Sequence, residues 1–218
     1  VEDLDLGAES AAQKNPLLTS NDQTWLTPEP VLARVRNVGP IGLDPCGNRN
    51  AIVRARTEWY GEGSDDDGLI QDWLMRPDGA RLRPGEVLFC NPPYQTIKTW
   101  AARAATFGKQ MMDESWGSAL ILLVAARTDT QWFDAVWGAP VKCFVRGRLK
   151  FGGGNGATNS ATFPSALACW GPADLRARFV AAFLSLGEIV GNRDRQLTDG
   201  GHVVLPPARR VESADLDL

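Results

Sequence analysis

Histidine is nearly absent from this chain, one in 218 residues, and its four cysteines never stand as a CxxC pair. The lone His202, in Asp199-Gly200-Gly201-His202, leaves Ser-His or Cys-His nucleophilic chemistry a single candidate base. Its place near the C-terminus favours a loop or tail residue. Cys46, Cys90, Cys143 and Cys169 are too dispersed for a zinc site or a disulfide scaffold, so buried free thiols and no bound metal are expected. Asp65-Asp66-Asp67 lacks the spacing and the terminal Glu of a calcium loop and reads as a solvated acidic turn. No apolar run approaches the roughly 20 residues that cross a bilayer. The acidic start Val1-Glu2-Asp3-Leu4-Asp5 is the opposite of a basic secretory leader, so a soluble cytoplasmic protein with no membrane partner is expected. A strong positive charge is also missing. The net charge is −3, but residues 1–14 hold four acids and one base and 209–218 three acids and two bases, which leaves 20 bases and 19 acids between them. Such a middle suits a local phosphate-binding face and excludes a globally basic protein.

What is present suffices for one packed domain: 44% of residues are apolar. Residues 1–20 lack periodicity and read as a flexible N-terminal segment, 21–205 as the folded domain, and 206–218 as an acidic tail. Thr27-Pro28-Glu29-Pro30 opens a helix, with Thr27 as its cap and Gly39 as its terminator. Ile41-Gly42-Leu43 reads as a short strand running into the turn Asp44-Pro45-Cys46-Gly47-Asn48. A second extended stretch is expected near 52–56, a loop over 62–68, and a short helix or packed turn over 69–74. Further strands are expected at 87–90, 119–124 and 167–170, and a paired set at 141–145 and 148–151. Helices are expected at 97–107, 129–137 and 173–186, with a last edge strand at Ile189-Val190. Strands alternating with helices predict an α/β fold with a doubly wound, mostly parallel sheet.

The most informative residues are Asn91-Pro92-Pro93-Tyr94, directly after the apolar run Val87-Leu88-Phe89-Cys90. They form a rigid polar turn at the C-terminal end of a strand, where open α/β sheets keep their ligands. Asn91 supplies a side-chain carbonyl, Pro92 a backbone carbonyl, and the two prolines restrict the backbone that carries both. Tyr94 adds an aromatic face on which a base can stack. Two acceptors beneath an exocyclic amine pull its nitrogen toward tetrahedral geometry and aim the lone pair at an electrophilic methyl group. Orientation and fixed dipoles do this without a strong base.

A methyl donor must then lie alongside. Asp44-Pro45-Cys46-Gly47 is the candidate: a strand-end acid accepts from a ligand amino group, and glycine admits close backbone approach. Asp67, before Gly68-Leu69, is a candidate for the donor's adenine amino group. The run Gly152-Gly153-Gly154-Asn155-Gly156 lacks the Gly-Lys-Ser/Thr ending of a phosphate-binding loop. It follows Lys142-Cys143-Phe144-Val145-Arg146-Gly147-Arg148-Leu149-Lys150, four positive charges with no acid, and the basic Gly-rich region near 142–165 suits a nucleic-acid strand.

Together these segments resemble the bacteriophage-type DNA N6-adenine methyltransferases, a Dam-like family. The resemblance runs in consistent order over about residues 20–171. It is carried by Asn21-Asp22-Gln23-Thr24-Trp25-Leu26-Thr27-Pro28, Leu43-Asp44-Pro45-Cys46, Asp67-Gly68-Leu69 with Asp72-Trp73, and Asn91-Pro92-Pro93-Tyr94. Ala126-Arg127-Thr128-Asp129-Thr130-Gln131-Trp132-Phe133, Gly147-Arg148-Leu149-Lys150-Phe151 and Phe163-Pro164-Ser165-Ala166-Leu167 add to it. It implies a Rossmann-like fold, S-adenosylmethionine (SAM) as methyl donor and cofactor, and a DNA substrate whose adenine is flipped out of a duplex or offered single-stranded. It further implies that Asn91 and the Pro92 backbone hold adenine N6 and that Tyr94 stacks on the base. Trp25, Thr27 and Pro28 would surround the donor's methionine end, and Asp44 would face its amino group. Arg127, Arg146, Arg148 and Lys150 are the implied DNA contacts. The chain departs from the wider methyltransferase pattern in lacking an FxGxG signature, and it leaves Glu58 as the candidate acid for the donor ribose. Methylation of a protein glutamine amide or of RNA adenine, and a catalytically silent DNA-binding scaffold, are the alternative readings. No nuclease motif is visible.

Overall fold

The computed structural model describes residues 26–61, 63–75, 82–113, 116–152, 158–161 and 163–191. The two terminal segments, Trp25, His202 and most of the Gly152–Gly156 run therefore lie outside the described residues. The fold is mixed α/β, built on a seven-stranded sheet of order β2-β1-β3-β4-β8-β5-β9. Its strands are β1 (Ile41–Asp44), β2 (Thr57–Glu58), β3 (Val87–Cys90), β4 (Ala119–Ala125), β5 (Val141–Val145), β8 (Ser165–Trp170) and β9 (Gly187–Gly191). A separate two-stranded ribbon pairs β6 (Lys150–Gly152) with β7 (Thr158–Ser160). The helices are α1 (Glu29–Val38), α2 (Ile97–Gln110), α3 (Asp134–Trp137) and α4 (Ala173–Phe183).

Pairing is parallel through β2-β1-β3-β4 and antiparallel through β4-β8-β5-β9. Thus β1 to β5 point one way, and β8 and β9 point back. The expected parallel sheet holds for the half that carries the loops of interest. The other half reverses because β8 inserts between β4 and β5.

Burial on both faces explains the unbroken apolar runs. Every residue of β3 and β4 is buried. Val87, Phe89, Ala119, Ile121 and Leu123 pack beneath α1 and α4, while Leu88, Cys90, Leu120, Leu122 and Val124 pack beneath α2 and α3. That alternation is the period of two expected of a strand, with both sets apolar because helices cover both sides.

Several local expectations change. The helix expected over 129–137 contracts to the turn Gln131–Phe133 and the single turn of α3. The 148–151 segment does not pair with 141–145: β5 lies between β8 and β9, and β6 turns to β7. The extended stretch near 52–56 becomes a strand only at Thr57–Glu58. Thr27 does not cap α1, whose first turn has no side-chain cap. Gly39 ends that helix in extended backbone, not the left-handed conformation; a Cβ there would lie 2.0 Å from the Gly85 carbonyl oxygen, so close approach demands glycine. No helix among the described residues is long and apolar enough to cross a membrane.

Candidate active site

The chain leaves β1 toward β2 on one side and later places β3 on the other, so the order reverses between β1 and β3. Ligand crevices form outside the carboxyl ends of strands at such a reversal. Asp44 closes β1, Glu58 closes β2 opposite it, and Asn91 follows β3. The residues singled out from three separate stretches of sequence therefore meet at one edge.

Sulfur joins the first loop to the second. Cys46 Sγ lies 3.5 Å from Cys90 Sγ, and the Asn91 backbone donates toward Cys46. Burial pushes both thiols above their ordinary range, so they act as small apolar contacts and not as nucleophiles. Gly68 packs on the same loop. A Cβ on Gly68 would fall 1.9 Å from the Pro45 carbonyl oxygen, which only glycine avoids.

Asn91 is set by a residue 64 positions earlier. Its Nδ2 donates to Thr27 Oγ1 at 2.9 Å, and Thr27 is only 4% exposed at the start of α1. Because the amide nitrogen faces Thr27, Oδ1 is turned the other way. The next residue, Pro92, is buried, and no described residue donates to its carbonyl. Tyr94 begins the turn Tyr94–Thr96 that leads into α2. Its ring meets Phe163 edge-to-face, centroids 4.8 Å apart at 78°, and burial raises its hydroxyl pKa, keeping the phenol neutral. The pair fixes the plane of the Tyr94 ring.

Asp44 stands apart electrostatically. It is 4% exposed, and burial raises its pKa to about 7. The Cys46 N–H, at 3.1 Å, opposes that rise, and the Glu58 charge adds to it. No Lys or Arg among the described residues pairs with it. Beside it, Glu58 Oε2 accepts from the Tyr60 hydroxyl at 3.0 Å, and the Arg49 guanidinium lies 4.5 Å over the Tyr60 ring. Gly47 N–H binds the Trp59 carbonyl at 2.8 Å, which holds the loop against β2. Asp67 is partly committed, since one carboxylate oxygen accepts the Leu69 N–H at 2.8 Å.

The basic candidates divide. Arg127 follows β4 and Arg146 follows β5, so both lie at this edge, but each meets an acid: Asp129 at 3.3 Å and Glu188 at 3.0 Å. Arg148 and Lys150 are exposed and enter no ion pair among the described residues. Their ribbon is tied to the site by reciprocal backbone bonds between Leu26 and Gly152 at 2.9 and 3.1 Å. Lys142 leaves the basic set. It is 1% exposed, and its Nζ donates to the Trp137 and Ala139 carbonyls at the end of α3. Charge patterning hid this, because a lysine that caps a helix end looks like any other in sequence.

Sequence reasoning assigned no role to Phe163. The Pro164 carbonyl accepts the Ala126 N–H at 2.7 Å, which brings Phe163 beside Tyr94; an aromatic directly before a strand-opening proline was the available signal. Among the described residues no cluster of His, Cys, Asp or Glu could hold a metal. The family model for DNA N-6-adenine-methyltransferase (Dam) matches residues 14–181 of the chain. No curated protein and no solved structure matches it.

Proposed function

The chain belongs to the DNA N-6-adenine-methyltransferase (Dam) family, and from that premise we propose that it transfers a methyl group from SAM to the N6 amine of adenine in DNA at the β1–β3 edge. The observation that carries the reading is the pair of acceptors after β3. Thr27 holds the Asn91 amide with its oxygen turned away, and the Pro92 carbonyl is uncommitted. Two fixed acceptors receive the two amine hydrogens and leave the nitrogen lone pair directed outward. Tyr94, its plane set by Phe163, supplies the face for the flipped base, whose unstacking costs a few kcal/mol.

The residues beside β1 fit the donor. Asp44 is a buried acid without a cation, and an ammonium group such as SAM carries would return its pKa toward the carboxylate range. Glu58, held by Tyr60, is the acceptor for the ribose hydroxyls, and Asp67 is the neighbour of the donor's adenine, with Thr27 and Pro28 at its methionine end. When bound, SAM supplies a sulfonium methyl whose S–C bond breaks as the N–C bond forms. The methylated nitrogen then sheds its extra proton toward the Asn91 and Pro92 oxygens and on to solvent. Arg148 and Lys150, uncompensated on the ribbon, meet the DNA backbone.

Transfer of tritiated methyl from SAM to unmethylated DNA tests this, with RNA and protein substrates in parallel. Label should appear as N6-methyladenine and fall at least ~10³-fold in Asn91→Ala, while SAM affinity changes by less than about threefold. Label on RNA or on a glutamine amide instead would displace DNA as substrate, and a chain that binds no SAM would reduce the protein to a scaffold.

A further inference from the structure

A second concave site lies at the opposite end of the same strands. A cleft of about 660 Å³ opens at the start of β1 and just before β3, in the size range of small-molecule sites. Four arginines line it: Arg36 from the last turn of α1, Arg54 and Arg56 from the approach to β2, and Arg83 from the approach to β3. Against these guanidinium groups the lining offers one carboxylate, Glu86.

The arginines are not equivalent. Arg56 clasps Glu86 with two nitrogens, and Glu86 also accepts the Arg83 backbone N–H at 2.9 Å. Arg36 is spent on Glu29 at 2.7 Å and on the Ile52 and Val53 carbonyls at 2.9 and 3.2 Å. The side chains of Arg54 and Arg83 are exposed and donate no hydrogen bond among the described residues; Arg54 has no ion-pair partner there, while the Arg83 charge acts on Glu86 without bonding to it. Arg54 also sits at φ 54°, the one non-glycine residue with positive φ among the described residues. That conformation is uphill for a side-chain-bearing residue, and a surface loop needing only a turn there would be served better by glycine. Holding a strained arginine over a cleft that already has an excess of positive charge opposes stability on two counts. A bound anion would offset the charge.

We propose that this cleft is a binding site for a phosphate-bearing ligand of nucleotide size, separate from the methyl-transfer edge. Guanidinium forks match phosphate oxygens two at a time. Glu86 orients Arg56, and Arg54 with Arg83 supplies the uncommitted donors. The flat apolar sides of Pro40 and Pro84 leave room for a ring beside the phosphate. A lone halide or a small carboxylate would leave most of the volume to water. The phosphate belongs either to a free nucleotide or to the backbone of DNA lying past the sheet, and binding experiments separate the two.

Calorimetric titration of the full chain with inorganic pyrophosphate, with ATP and with a short DNA duplex tests the site, with S-adenosylhomocysteine present to fill the reaction edge. The double variant Arg54→Gln/Arg83→Gln removes two charges without breaking a described side-chain hydrogen bond, and its thermal melt checks that the lost Arg83 charge beside Glu86 leaves the fold intact. ATP and pyrophosphate should compete, and both should lose at least tenfold in affinity in the variant but not in Asn91→Ala. Duplex binding unchanged by the variant then assigns the phosphate to a free ligand. A parallel loss of duplex affinity with a shallower salt dependence assigns it to the DNA backbone. Equal binding of all three probes to wild type and variant, or binding of none, overturns the site. Failure of methyl transfer would leave this result untouched, since binding alone is read.

Discussion

Asp44, at the end of β1, and Glu86, just before β3, are 4% and 7% exposed, yet burial carries only the first toward neutrality. For both, desolvation pushes the pKa up. At Glu86 the two Arg56 hydrogen bonds and the Arg83 N–H outweigh it, and the pKa falls below its ordinary value. At Asp44 only the Cys46 N–H and thiol oppose burial while Glu58 reinforces it, and the pKa rises to about 7. One acid is completed by its own chain and the other is not. A buried carboxylate left without a cation is costly unless something else supplies the charge; on the proposed reading Asp44 is the ligand-facing acid, and Glu86 is structural.

Substituting Asp44 with Asn breaks this comparison most severely. Cofactor affinity should fall about 100-fold, the scale of a buried charge-assisted hydrogen bond. The sign of the stability change is opposite to the usual one. A carboxyl whose folded pKa is raised stabilises the fold below its ordinary pKa of 3.8, and that contribution is lost as pH rises toward about 7. Asp44→Asn should therefore raise the melting temperature of the cofactor-free protein at about pH 8 and change it little at about pH 4. In the wild type, SAM affinity should tighten as pH rises through about 7, while the variant should be flat. A variant destabilised at high pH, or one that still binds SAM normally, would remove Asp44 from the site.

Glu86→Gln is the counterpart. It strips Arg56 of its ion pair and should cost about 2 kcal/mol by denaturant unfolding, reduced from the fully buried case because the Arg56 side chain is 24% exposed. SAM affinity should not move. The wild-type contribution of Glu86 is present above its ordinary pKa of 4.5 and is lost as pH falls below it, the reverse of Asp44. Should Glu86→Gln weaken SAM binding while leaving stability alone, the division between the two acids would fail.

Much of the candidate edge, as a meeting place of polar residues after strands, was legible because its parts are local. A continuous apolar run announces a strand covered on both faces, as at β3 and β4, and a proline pair directly after one announces a fixed turn. Asp44 and Asn91 followed from being the first polar residues past such strands. What escaped was whatever depends on a partner far away in sequence. Thr27 has the residue type and position of a helix cap, but its hydroxyl serves Asn91, and nothing local to either marks that pairing. The ribbon was misassigned for the same reason. Strand 141–145 has two antiparallel neighbours supplied from beyond residue 160, so the adjacent 148–151 segment was free to turn elsewhere. Lys142 counted as surface charge until the α3 carbonyls it caps were in place.

Thr27 thus offers a smaller perturbation of the same edge. Thr27→Val keeps the shape but removes the acceptor of the Asn91 amide hydrogen, so the amide is no longer held with its oxygen turned outward. Turnover should fall about tenfold, roughly the 1.4 kcal/mol of one neutral hydrogen bond. Thr27→Ser should restore it, and because Thr27 also borders the proposed donor site, any change in SAM affinity should be smaller than the loss in turnover. Equal losses in Val and Ser variants would mean that Thr27 acts by packing and not through its hydroxyl.

The mildest test separates the charges at the reaction edge by the same criterion that separates the two acids. Arg146 is answered by Glu188 and Arg148 by no described residue, so only the second has its full charge to give to a phosphate. Exposed ion pairs are weak, and DNA could still displace Glu188, but Arg146 would then give up one partner to gain another. Arg148→Gln should lower duplex affinity a few-fold and reduce the slope of log K against log salt by about one unit, the release of one counterion. Arg146→Gln should change the slope by less than half of that. Equal slopes for the two variants would show that an acid partner on this surface does not decide which arginine meets DNA, and would confine the completed-versus-uncompleted distinction to the buried acids.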